Sequence, residues 1–218
     1  MNKTTKKILR TVTGIIVALV IIGGAVWMIT GLSPQALIVR AFLKPMTMDK
    51  YEEAMNDKTD KSTTEIPAEV KFPREVAEYR VGGMQVFEVP AADDTKPVVL
   101  ISPWVDVMGG DLSIQEHDNW LTVDVLQKYG ADWADGIDVN DPMISPLNGD
   151  MNGLPPTDLF TGTWEVFYTD VLKTYEKMKA AGVKVQLHVA EKMGHVYPLH
   201  PSPEGRKARK EIADIIRK

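Results

Sequence analysis

A histidine and a carboxylate each follow a predicted strand in the C-terminal half of the chain. His195 stands in the loop after the alternating segment "VKVQLHVA", and Glu165 comes three residues after Gly162, which ends the short apolar segment "LFTG". Side chains that perform chemistry on a parallel sheet gather at the carboxyl ends of its strands. An acid followed along the chain by a histidine is the orienting half of a Ser-His-acid triad. The spacing therefore predicts a general base at His195 and an orienting acid at Glu165, although a helix N-terminus would also favour a glutamate there.

The elements around these two residues have the rhythm of an α/β protein. A continuous apolar run at 98–101 and the segment "LFTG" predict buried strands, and "VKVQLHVA" predicts a third. The helix between the last two strands ends near Gly182, where a C-terminal cap belongs. Each predicted helix places its apolar residues on one face, which are Val171, Leu172, Tyr175 and Met178 in the first and Ala208, Ile212, Ile215 and Ile216 in the closing one. Strands that alternate with helices predict a mostly parallel sheet with flanking helices.

The N-terminal segment, residues 1–31, has the pattern of a membrane anchor. Four basic residues precede an uncharged stretch that continues from Thr11 to Val39. Its apolar part and flanks approach the ~20 residues that a helix needs to cross the hydrocarbon core. The basic flank predicts a single-pass protein of the cell membrane, with residues 11–31 in the bilayer, a cytoplasmic N-terminus and an extracytoplasmic body. A cleaved signal peptide and a buried helix of a soluble protein are the competing interpretations.

Charge and composition exclude several classes of function. Residues 1–40 hold five basic groups and no acid, which leaves 20 basic against 30 acidic residues in the remainder. A body this acidic would repel phosphate backbones, so we expect no nucleic-acid partner. The chain has no cysteine, which excludes disulfides, thiolate metal sites and cysteine nucleophiles. We expect neither a metal nor a cofactor, and the sequence does not identify a protein partner.

Several motifs together resemble the hormone-sensitive-lipase-like branch of the α/β hydrolases, in its bacterial esterase and deacetylase form. They are "ISPWVDV", "DPMISPLNGDMNGLPPTDLFTGT", "EVFYTD", "MGHVYPL" and "EGRKA". The resemblance covers residues 75–218, after a segment of amphipathic helices and polar connector at 32–74. It implies the histidine of a catalytic triad at His195 and the acid at Glu165. The family's usual acid is aspartate, so Asp170 remains the alternative.

The nucleophile that this resemblance implies is missing from the sequence. The chain contains no Gly-x-Ser-x-Gly and no His-Gly-Gly, the motifs that supply the serine and the oxyanion loop. Ser102 and Ser145 each precede a proline, as in the family's non-catalytic turns. "KPVVL" resembles a strand that leads into the oxyanion loop, yet "ISPWVDV" follows it at once. We therefore expect a truncated α/β-hydrolase fold, through either an in-frame deletion or an incomplete sequence record, with unburied apolar surface prone to association.

The resemblance implies a substrate class, and the missing motifs imply the state of this chain. The expected substrate is a small carboxylic ester or an acetylated molecule, and we expect the chain alone to be inactive. The alternative is a non-catalytic binding or scaffold protein at the membrane surface. A third interpretation is that the chain supplies half a site to a partner carrying the serine. The remaining histidines are expected to be incidental or, for His188, solvated; they are His117, His188 and His200.

Overall fold

A computed structural model of the 218-residue chain describes residues 3–45, 47–56, 77–81, 84–88 and 97–217. The helices are α1 (Lys3–Thr30), α2 (Pro34–Phe42), α3 (Met48–Asn56), α4 (Val123–Ala134), α5 (Tyr168–Ala180) and α6 (Pro203–Ile216). The strands are β1 (Ala77–Val81), β2 (Met84–Glu88), β3 (Val98–Ile101), β4 (Thr157–Gly162) and β5 (Val185–Ala190). The predicted polar connector at 57–67 lies outside the described residues.

Three parallel strands form the sheet that carries the predicted site. Their order is β3-β4-β5, with Leu100 opposite Leu159 and Leu159 opposite Leu187. Every residue of the central strand β4 is buried, whereas β3 is half-buried, with Val98 37% exposed. Strands β1 and β2 form a separate antiparallel pair. The described strands confirm the predicted α/β architecture with a parallel sheet.

Helices cover both faces of this sheet because successive β4 side chains point in opposite directions. Leu159 packs with Val171 and Met178 of α5 on one face, and Phe160 packs with Ala208 of α6 on the other. The predicted inward face of α5 is confirmed at these two residues. The closing helix departs from prediction at its end. Ile216 is 57% exposed, because it lies in the last turn beyond the sheet-facing cluster.

The second helix packs on the α6 side of the sheet. Leu32, just before α2, and Ala36 within it are each 1% exposed and lie in the cluster that contains Phe160 and Met193. The α2 N-cap Ser33 donates its hydroxyl to Glu204 at 2.7 Å, and the same carboxylate accepts from the Ser33 amide at 3.0 Å. Residues 32–36, predicted to begin a connecting segment, therefore contribute to the core.

The first helix, α1, contains most of the predicted transmembrane span. In the part of the chain that the structure describes, no single helix is long and apolar enough to cross a membrane. One pair of helices, Ile15–Thr30 and Pro34–Phe42, reaches the required length and composition only when joined across a bend of 75°.

Candidate active site

The carboxylate of Glu165 lies fully buried at the end of β4. Its Oε1 atom accepts a hydrogen bond from the Thr161 hydroxyl and a 3.2 Å hydrogen bond from the Gly162 amide. These two donors are the last two residues of β4, so the end of the strand itself fixes this side chain. Oε2 is left to face outward, toward the loop that follows β5.

His195 meets this free oxygen. Its Nδ1 atom lies 3.1 Å from Oε2 of Glu165, and in the described part of the chain this is the ring's only hydrogen bond. The edges of Trp120 and Phe167 meet the imidazole at centroid distances of 5.6 and 5.4 Å. Because a carboxylate can only accept, the Nδ1 proton belongs to the imidazole and Nε2 is left as the basic nitrogen. This is the tautomer that a general base needs.

The backbone of the His195 loop is held by two side chains. The Ser102 hydroxyl, at the end of β3, accepts a 2.9 Å hydrogen bond from the Val196 amide. The His200 ring donates from Nε2 to the His195 carbonyl oxygen at 3.0 Å. Val196 itself has a φ of 48°, a left-handed conformation that a β-branched residue seldom adopts. These contacts hold the loop in a conformation that it would otherwise avoid.

Burial shifts the pKa of His200. The side chain lies in the core, and this burial lowers its pKa below the ordinary value. The hydrogen bond to the His195 carbonyl opposes that effect, while the charges of His195 and Arg40 add to it. The sequence does not predict this role of His200, because neither its neighbouring prolines nor its spacing indicates which backbone carbonyl it meets.

The alternative acid, Asp170, lies in the first turn of α5. The residue is 3% exposed, and its carboxylate accepts from the Gly110 amide at 2.8 Å and pairs with the Lys173 ammonium at 2.8 Å. It therefore ties α5 to the glycine turn at 109–110. The structure brings Glu165, and not Asp170, to the imidazole.

Both Ser-Pro serines use their hydroxyls within loops. Ser145 is fully buried, donates to the Val139 carbonyl at 2.6 Å and accepts from the Val107 amide at 3.1 Å. Ser102 supports the Val196 amide, as described above. Among the described residues no hydroxyl bonds to the His195 ring. Asp106 and Asp141 each accept a hydrogen bond from the amide two residues later, so both organise turns.

The prediction that His188 is solvated is wrong. Its ring stacks on Phe160 with 4.2 Å between centroids, and its side chain is only 16% exposed. Nε2 lies 2.6 Å from Asp158 and Nδ1 lies 3.0 Å from Glu211. Alternation placed His188 on the face opposite Leu187, but it could not reveal that α6 covers that face. His188 thus ties α6 to the sheet and lies apart from the His195–Glu165 contact.

Metal ligation has no support in the described residues, where no group of three or more His, Asp or Glu side chains is arranged to hold an ion. The acid of the site is already satisfied by three partners: the Thr161 hydroxyl, the Gly162 amide and His195. The arrangement is suited to proton transfer by an oriented imidazole.

Comparison with known proteins agrees with this geometry. Residues 84–199, just over half of the chain, match a family model described as the alpha/beta hydrolase fold. An esterase of Acinetobacter venetianus is 32% identical over 124 residues, which are 54% of this chain and 41% of the relative. An acetyl-hydrolase of Streptomyces hygroscopicus is 31% identical over 124 residues, covering 55% of this chain and 42% of the relative. The chain thus spans about two fifths of the length of these relatives.

Solved structures point the same way. An esterase from the bacterial hormone-sensitive lipase family superposes with a TM-score of 0.54 at 29% identity, over 56% of this chain and 42% of that one. A hormone-sensitive lipase from a metagenome library gives 0.53 at 28% identity, over 55% and 43%. The family match, these structures and the buried acid beside His195 lead to one conclusion: the chain belongs to the α/β hydrolases, in their hormone-sensitive-lipase-like branch.

Proposed function

We propose that this chain carries the proton-handling part of a carboxylic-ester hydrolase and does not hydrolyse esters by itself. The observation that carries the proposal is the 3.1 Å contact between His195 Nδ1 and Glu165 Oε2 in a sequence that lacks Gly-x-Ser-x-Gly. The imidazole is oriented, but no serine of the family type is present for it to activate. The esterase and acetyl-hydrolase relatives support a small ester or acetylated molecule as the substrate class.

In the complete reaction His195 would act twice. Nε2 would take the proton from an attacking serine hydroxyl, and the imidazolium would later give that proton to the leaving alkoxide. Glu165 would hold the ring in the Nδ1–H tautomer and stabilise its positive form. Its burial favours this role, since a buried carboxylate interacts more strongly with an adjacent positive charge than an exposed one does.

A fluorophosphonate probe and a chromogenic short-chain ester test the proposal on the purified full chain. We expect no labelling and no turnover above that of the His195→Ala variant. Labelling of the wild-type chain that is lost in His195→Ala would contradict the proposed inactivity. Activity that appears only with an added serine-bearing hydrolase fragment, and that requires His195, would favour a shared site.

A second candidate function is non-catalytic binding through the sheet edge. Strand β3 is entirely apolar, and in the described sheet it has a partner on one side only. An exposed apolar edge is a template for pairing with another chain. Val98→Lys should weaken self-association or partner binding through this edge without disturbing the His195–Glu165 contact. Analytical ultracentrifugation of the two chains measures this difference.

We also propose that α1 anchors the chain in the cell membrane, with a cytoplasmic N-terminus and an extracytoplasmic body. Although no single helix of the described residues has the length and apolarity of a membrane span, the uncharged sequence from Thr11 to Thr30 would rise about 30 Å as a helix, close to the thickness of the hydrocarbon core. Large apolar side chains of its described part are exposed, including Ile15, Val20, Ile21 and Ile29. Resistance to carbonate extraction, with the body accessible to external protease, is the expected result. Release by carbonate would contradict it.

A further inference from the structure

Helix α2 has two unlike faces. The inner face is set by Ala36, which is 1% exposed, and by Arg40, whose guanidinium lies 4.4 Å from the ring centre of Trp164. The outer face carries Ile38 and Phe42, one helical turn apart, which are 56% and 81% exposed. An exposed pair of large apolar side chains on one helix face is a candidate contact surface.

The helix is held so that its outer face cannot turn inward. At its start Ser33 is tied to Glu204 of α6. At its end the Arg40 guanidinium donates to the His117 carbonyl at 2.8 Å and to the Asn119 side chain at 2.7 Å. The side-chain Nδ2 of Asn119 donates back to the Arg40 carbonyl at 3.0 Å. Contacts at both ends fix the rotation of α2 about its own axis.

The orientation of α2 follows from its junction with α1. The two helices meet at 75°. The turn between them is short, Gly31 to Ser33, and the Lys192 ammonium donates to the Thr30 carbonyl at 2.7 Å, which fixes the end of α1. If α1 stands along the bilayer normal, α2 lies about 15° from the membrane plane, at the depth where α1 leaves the lipid.

We propose that α2 is an interfacial helix that lays Ile38 and Phe42 into the boundary between lipid headgroups and acyl chains. The inference rests on the proposed anchoring of α1. Helices of this kind lie in the interface plane with an apolar face buried ~5–10 Å. Two side chains on one short helix are too small a surface for a stable protein interface, which buries ~1,200–2,000 Å². A bilayer needs no such complementary area.

This placement brings the candidate active site close to the lipid surface. Trp164 precedes Glu165 and contacts α2 through Arg40, so about one helix diameter, ~10 Å, separates the site from the outer face. The His195 loop is tied to the same junction through Lys192. The site would therefore face molecules that lie at the membrane surface.

The absence of cysteine makes a direct test possible. Single-cysteine variants of the full chain are labelled with an environment-sensitive NBD dye and reconstituted in phosphatidylcholine vesicles that contain doxyl-labelled lipid. Phe42→Cys reports on α2 and Ile21→Cys on α1, while Met143→Cys, at a residue that is 62% exposed, is the matched control on the body. Ile38→Cys repeats the α2 measurement in case the first variant folds poorly.

We expect doxyl lipid to quench the labels at 21 and 42 at least two-fold more than the label at 143. Quenching at 21 with a water-like signal at 42 and 38 would overturn the interfacial role of α2 and leave the anchoring intact. Absence of quenching at 21 would overturn the anchoring and the inference together. A label at 42 that is shielded from water but not quenched would also overturn the inference, because protein would then cover this face.

Discussion

Gly162 and the carbonyl of Met193 approach each other so closely that no side chain fits between them. A Cβ atom added to Gly162 would lie 2.0 Å from the Met193 oxygen and 2.6 Å from its carbonyl carbon. The same carbonyl accepts a 3.0 Å hydrogen bond from the Trp164 amide. The turn that carries Glu165 and the loop that carries His195 are therefore packed backbone against backbone, which sets the separation of the two functional side chains.

Substituting alanine for Gly162 should destabilise the fold and separate these loops. The blocking atoms belong to the backbone, so no side chain can rotate away, and we expect a loss of at least about 2 kcal/mol of unfolding free energy. Urea denaturation gives the value. Gly194→Ala is the matched control, since its Cβ would have its nearest neighbour at 3.8 Å. Equal stability of the two variants would contradict the close approach.

Glutamine at position 165 should reverse the tautomer of His195. Oε1 of Glu165 already accepts from Thr161 and Gly162, so the glutamine oxygen is expected to stay there and its NH₂ group to face Nδ1. Nδ1 must then accept, and the ring proton moves to Nε2. Ring ¹⁵N chemical shifts measure the change directly. Asp170→Asn is the control; a matching shift in that variant, or none in Glu165→Gln, would contradict the assignment of the acid.

His200 should make the protein less stable in mild acid. Its folded-state pKa lies below the ordinary ~6.5 because it is buried, so below that pH the unfolded chain binds a proton that the folded chain does not. The contribution of His200 to the free energy of unfolding is thus present above about pH 6.5, and it is lost as the pH falls through the folded-state pKa. His200→Gln keeps a donor for the His195 carbonyl and removes the titration.

Urea unfolding between pH 7.5 and 5 tests this linkage. We expect His200→Gln to lose less stability than the wild type over that range, and to be close to it at pH 7.5. His200→Ala should be less stable at every pH, because it leaves the His195 carbonyl without its side-chain donor. Identical pH slopes for wild type and His200→Gln would rule out the proposed effect.

Tyr197 should limit stability at the alkaline end. Burial, followed by the negative charges of Glu211 and Glu165, raises the pKa of its phenol to about 12. In the unfolded chain the Tyr197 phenol ionises near pH 10. Its contribution to the free energy of unfolding is therefore complete below pH 10 and is lost as the pH rises toward 12. Tyr197→Phe should flatten the decline in unfolding free energy between pH 10 and 11. A decline as steep as in the wild type would contradict the raised pKa of Tyr197.

One consequence expected from the sequence is unburied apolar surface at the edge of the sheet. Removal of strands that pack on both sides of a parallel sheet uncovers apolar residues. In the described sheet the all-apolar β3 is only half-buried at its edge, while the adjacent β4 is fully buried. Self-association through this edge stays a prediction.

The sequence by itself determined which residue types stand at the two strand ends. A strand period, a short loop and the residues at its end are local properties, so the positions of His195 and Glu165 at two strand ends could be predicted. The absence of a nucleophile motif is likewise a property of the sequence alone. The family could be predicted from motifs in the same part of the chain, because each motif is a continuous stretch of sequence.

Only the tertiary structure decided which side chains meet. Glu165 and Asp170 differ by five positions in the sequence, and the direction of one turn brings the first to the imidazole and the second to Gly110. Ser102 and His200 support the His195 loop, and α2 docks on the sheet. These contacts join residues that are distant in the chain or lie at angles that no local pattern encodes. Such contacts arise only when the whole core is assembled, because they depend on how its closely packed side chains fit together.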